Sequence, residues 1–178
     1  MRAKRTRSPR RTESGEALTD LILTIFKSNV DLVDAAPLIA RDPSMTAMRW
    51  QILNALKAED KTAAQLGREM GISRQGALLS VQSLEDQGYV SLNDNAEDQR
   101  TKNVALTSAG LEKLNEVNSY QSAWVNQLAT HFDKKQLDIA VDVVGKLRLL
   151  TLTSVSVVNE RASRSTRNKA SDSRDRGI

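Results

Sequence analysis

The sequence predicts a mainly α-helical protein with one small β-hairpin, and three observations predict it. Apolar residues recur at helical spacing over most of residues 14–159. Two short helices are punctuated by caps so close together that only a tight turn fits between them. Directly after them the period drops to two for a pair of short β-prone runs.

The first element is a helix carrying Leu18, Leu21, Ile22, Ile25 and Phe26, expected to run to about Val33. Pro37 and Pro43 mark Asp34–Ser44 as a break. A second helix follows, with Met45, Met48, Ile52, Leu53 and Leu56 on one face. Thr62 and Gln65 have capping-box spacing, opening a short helix that holds Leu66 and Met70. Gly71 stands where a left-handed residue would end that helix, and Ser73 can cap the next one. Ala77, Val81 and Leu84 form its buried stripe, and Gly88 closes it. Tyr89–Leu92 and Asn103–Leu106 are the alternating runs of the hairpin, around a polar loop from Asn93 to Lys102. Thr107 caps a long helix expected to reach Phe132, with Leu111, Leu114, Val117, Trp124 and Leu128. Asp133 and Gln136 repeat the capping-box spacing before a last helix with Leu137, Val141, Val144 and Leu147. A helix-turn-helix followed by a hairpin is a winged helix-turn-helix.

The boundaries that follow are a basic arm at 1–13, an N-terminal helix and linker at 14–44, and the winged helix at 45–107. Helices occupy 108–159, and a polar tail, read as disordered from its composition, occupies 160–178. The net charge of +4 is unevenly spread, because 12 of the 26 bases lie in residues 1–13 and 160–178 with only 4 of the 22 acids. The remaining 14 bases and 18 acids leave residues 14–159 at net −4. No apolar run approaches the ~20 residues of a membrane helix, so no membrane partner is expected. With no cysteine, disulfides and thiolate metal sites are excluded, which suits a reducing cytoplasm. His131 stands alone, without the partners of a metal site. No phosphate-cradling glycine loop, His-Glu-x-x-His pair or nucleophile elbow occurs, so neither enzyme chemistry nor a cofactor is expected.

The second helix of such a unit fits the major groove of duplex DNA, and the hairpin reaches neighbouring backbone or minor groove. With Ala77, Val81 and Leu84 inward, the outward residues are Arg74, Gln75, Leu78 and Gln82, with Ser73 at the cap. Arginine suits guanine and glutamine suits adenine. Leu78 and Leu79 have two readings: contact with thymine methyls or, for Leu79, filling the core beside the small Ser80. On the wing, Arg100 and Lys102 supply charge, and Asp98 is placed to orient the Arg100 guanidinium. Arg2, Lys4, Arg5, Arg7, Arg10 and Arg11 form an arm suited to phosphate.

Three fragments, MTAMRWQILNAL, TAAQLGREMGISRQGALLSVQSLEDQGYV and DQRTKNVALTSAGLEKL, in this order and spacing, resemble the MarR (multiple antibiotic resistance regulator) family. The resemblance runs over about residues 16–150 and is sharpest at Asp98-x-Arg100 and Val104-x-Leu106-Thr107-x-x-Gly110. It implies a homodimer built from the first and last helices, a repressor of transcription on a pseudo-palindromic operator, and release by a small, often phenolic ligand. Met45, Met48, Trp50 and Trp124 are the candidates for lining such a ligand's pocket. The alternative is a winged helix that binds protein instead of DNA, which the acidic body and the two leucines would suit.

Overall fold

The computed structural model describes residues 10–96 and 98–175, with side chains as far as Ser154. Six helices and a three-stranded antiparallel sheet follow in the order α1 (Glu13–Ile39), α2 (Ala47–Leu56), β1 (Lys61–Thr62), α3 (Ala63–Met70), α4 (Arg74–Asp86), β2 (Val90–Asp94), β3 (Lys102–Leu106), α5 (Ser108–Ala129) and α6 (Lys134–Asp175). They form two units, one ending at Val125 and one beginning at Asn126.

In the first unit the core is a single cluster drawn from every element between the end of α1 and the middle of α5 except β1. Met45, Ile52, Leu53, Leu66, Val81, Leu84, Leu114 and Val117 have no exposed surface. Side-chain caps start the helices. Thr12, Thr46, Thr62 and Ser73 each accept a hydrogen bond from the amide three residues on. Thr62 and Gln65 complete the reciprocal capping box.

Three helix ends share one device, in which the chain turns through a left-handed residue while two amides bond back to the last carbonyls. Gly71 (φ 67°) and Gly88 (φ 73°) do this for α3 and α4. Arg41 (φ 52°) does it for α1, with Arg41 N–H on the Leu38 carbonyl and Asp42 N–H on that of Pro37. A non-glycine left-handed residue costs about 1–2 kcal/mol. Two tertiary contacts oppose that cost. The Arg41 guanidinium lies 4.4 Å from the Tyr120 ring centroid, and Asp42 pairs with Lys113 at 3.1 Å. The Ser44 hydroxyl, donating at 2.7 Å, and then Lys113 hold the Asp42 carboxyl below the usual carboxylate range.

The structure corrects the sequence reading in four places. Pro37 does not break α1, because Ala36 and Ala40 are buried against the core and hold the last turn in place. A third strand, β1, adds to the hairpin, pairing Lys61 with Val104 and Thr62 with Asn103. The long helix α5 stops at Ala129, with Thr130–Phe132 in a turn, since Asp133 opens α6 by bonding the Lys135 amide. And α6 runs to Asp175, past Glu160, at which composition places the start of a disordered tail. No proline or glycine lies between Gly145 and Gly177, so nothing in the chain ends the helix earlier.

Several large apolar side chains stand in solvent on α1 and α6. Phe26, Val30 and Leu38 are exposed on the first, and Ile139, Val141 and Leu149 on the second. No helix among the described residues is long and apolar enough to cross a membrane.

Candidate nucleic-acid interface

α3, the turn Gly71–Ser73 and α4 are set by close packing. A side chain at Gly67 would meet the Ile72 carbonyl at 3.2 Å and the Ala77 Cβ at 3.5 Å, so glycine lets the two helices approach. Ser73 Oγ accepts from the Gly76 amide at 3.0 Å and fixes the first turn of α4. Ala77, Val81 and Leu84 point inward with no exposed surface. At 100° per residue, the opposite face then carries Gln75, Leu79 and Gln82, all exposed.

Leu78 is therefore not on the outward face. It is half-buried and turned toward the wing, and Leu79 occupies the outward position at 57% exposure. Leu79 does not fill the core beside Ser80, whose hydroxyl donates to the Gly76 carbonyl.

Between α4 and the wing lies a cleft of about 200 Å³. Leu78, Val81, Leu92 and Val104 supply its apolar lining, and Arg74, Arg100 and Lys102 its charge. Arg74 and Arg100 have no ion-pair partner among the described residues. Lys102 is engaged by Asp94 across the last rung of the β2–β3 ladder, and that hydrogen bond holds Asp94 below the usual carboxylate range.

Asp98 works differently from the sequence expectation. Its carboxylate accepts from the Arg100 backbone amide at 3.0 Å, and its carbonyl accepts from the Thr101 amide and hydroxyl, each at 3.0 Å. It thus builds the turn that presents Arg100 and makes no ion pair with the guanidinium. Thr101, absent from the sequence-derived set, is part of this turn and also accepts from Asn95. Asp98→Ala is accordingly expected to weaken DNA binding about as much as Arg100→Ala. Asp98→Asn, which keeps an amide-accepting oxygen, should retain most of it. Equal losses in Asp98→Asn and Asp98→Ala, measured by fluorescence anisotropy, would mean that the charge matters and not the turn.

Residues 44–101 match the sequence model of the MarR family. Over that segment the chain is similar to the winged-helix region of the MarR family. Solved structures share the wider fold. A MarR family transcription regulator superposes with a TM-score of 0.70 at 18% identity, over 79% of this chain and 94% of its own. CouR, a transcriptional repressor solved bound to a 23-mer DNA duplex, gives 0.67 at 15% identity, over 78% and 99%. The transcriptional regulator BldR from Sulfolobus solfataricus gives 0.66 at 19% identity, over 76% and 99%.

The four residues considered for a ligand pocket have different surroundings. Met45 is a core residue with no exposed surface and so is no wall of an open pocket. Met48 and Trp50 pack against the same core, and Trp50 Nε1 donates to Asn118 Oδ1 at 2.9 Å, tying α2 to α5. Trp124 is half-buried on α5. Of the basic arm, Arg10 and Arg11 are exposed just ahead of the Thr12 cap, while Arg2, Lys4, Arg5 and Arg7 lie outside the described residues.

Proposed function

We propose that the chain is a sequence-specific DNA-binding transcriptional regulator that acts as a homodimer on a pseudo-palindromic operator. The observation that carries this reading is the paired presentation of α4 and the wing. A capped helix offers Gln75 and Gln82 outward, while Arg74 and Arg100, both without an ion-pair partner among the described residues, flank one cleft beside it. The helix has the size and chemistry for the major groove, and a wing-tip arginine suits adjacent backbone or minor groove. CouR, with the same fold, is a repressor solved on duplex DNA, which favours repression here as well.

The homodimer reading is supported by the uncovered apolar side chains of α1 and α6. Leu38 is 79% exposed and Val141 73% exposed in a single chain. A two-fold interface covers such faces at once on both copies. Light scattering at micromolar concentration is expected to give twice the chain mass, and a stable folded monomer would count against it.

Selection of bound DNA from a random pool tests the main reading. A two-fold symmetric consensus is expected, with affinity falling steeply as salt rises. Repeating the selection with small phenolic compounds tests release by a ligand. Arg100→Ala should weaken operator binding by about tenfold, equivalent to ~1.4 kcal/mol, with little change in melting temperature. Recovery of no consensus would instead favour the protein-binding alternative.

A further inference from the structure

We propose that Leu79 reads the 5-methyl group of a thymine in the major groove. The inference rests on the DNA-binding reading above and adds the kind of base pair that this face prefers.

Leu79 sits in the middle of the outward face of α4, with Gln75 one turn before it and Gln82 nearly one turn after. Both neighbours are exposed amides, so Leu79, at 57% exposure, is an isolated apolar point in a polar strip. Its apolar neighbour Leu78 is half-buried toward the wing cleft and does not extend it into a patch. A single leucine between two amides is too small an apolar area for a protein interface. It fits the chemistry of an A·T pair. In the major groove adenine offers N6 and N7 to a glutamine amide, and thymine offers a methyl group to an apolar side chain. The acids Glu85 and Asp86 at the far end of α4 disfavour close approach of phosphate there. Contact is thereby concentrated on residues 74–82, where the strip lies.

The test uses the full-length protein and the operator recovered by selection, with each thymine replaced in turn by uracil. Uracil keeps the base pair and removes only the methyl. Burying one methyl contributes enough for about a fourfold change in affinity. Wild type is therefore expected to lose about fourfold at one thymine in each half-site. Leu79→Ala, which changes both subunits, should lose about sixteenfold on the thymine operator and show no further loss with uracil at that position. An unchanged melting temperature would keep the effect from being one of folding. If no uracil substitution weakens wild type, or if Leu79→Ala stays equally sensitive to uracil, Leu79 is not the reader. Failure to recover any operator would overturn the DNA-binding reading itself, a result distinct from an operator that is bound but indifferent to the methyl.

Discussion

Gly110→Ala is expected to lower the melting temperature by roughly 6–12 °C, corresponding to ~3 kcal/mol in a chain of this size. Gly110 lies buried in the first turn of α5, and a Cβ there would fall 1.9 Å from the Tyr89 carbonyl oxygen and 2.8 Å from its carbon. The carbonyl cannot retreat freely. It accepts from the Thr107 amide at 3.1 Å, while the Thr107 hydroxyl donates to the Gly88 carbonyl at 2.7 Å and accepts from the Gly110 amide at 3.0 Å. The start of α5 is thus seated on the chain between α4 and β2, and a methyl group must push them apart. Gly71→Ala provides the comparison. It has nothing within 4 Å and a φ of +67°, so only the backbone term applies, about 1–2 kcal/mol. Thermal melts followed by circular dichroism would rank the two variants. A Gly110→Ala protein that melts with wild type would mean that α5 does not start so close to Tyr89.

Removal of residues 1–11 is expected to flatten the dependence of log affinity on log salt by at least ~2 for the dimer, if each arm neutralises one or two phosphates. The expectation comes from charge. With residues 14–159 at net −4, long-range attraction to DNA is weak without the six bases of the arm. The body's own contribution near the interface is small. Residues 73–103 hold Arg74, Arg100 and Lys102 as their bases, against five acids, and Lys102 is engaged by Asp94. Sequence preference should survive the truncation, because phosphate contacts carry no base information. Salt titration of both proteins on one operator measures this, and equal slopes would remove the arm from the interface.

The parts of the fold that were legible in the sequence are those encoded by neighbours in the chain. Thr62 with Gln65, Ser73, Gly71 and Gly88 each announce a cap or a turn through residues a few positions apart, and each is found in that role. What stayed hidden depends on distant partners. Two residues of β1 have no pattern of their own and become a strand only because Asn103 and Val104 lie alongside. Pro37 reads as a breaker unless the burial of Ala36 and Ala40 is known. Arg41 takes a glycine-like conformation, with Tyr120, far along the chain, stacked on its side chain.

The candidate interface divides in the same way. Gln75 and Gln82 could be placed outward from helical phase, and Arg100 on the wing from its motif, whereas Arg74 stands beside Leu78 at the wing cleft. Leu78 and Leu79 could not be told apart, since they differ by one step around the helix and the wing decides which of them is covered. The role of Asp98 is not legible in the sequence, because an Asp two residues before an Arg can reach either its amide or its guanidinium.

β1 has a thermodynamic consequence for binding. Thr62 is paired with Asn103 in the sheet while its side chain caps α3. Lys61 is paired with Val104, with its ammonium held by Glu59 at 2.6 Å and Glu69 at 2.8 Å. A hairpin fastened only at its own two ends would have to be ordered at each encounter with DNA, and that loss of entropy would be subtracted from affinity. Here the strands of the wing are already registered against the helix-turn-helix in the free protein. On the proposed DNA-binding reading, the interface would enter association preorganised, and less of the binding free energy of its few assigned contacts would be spent on ordering the wing.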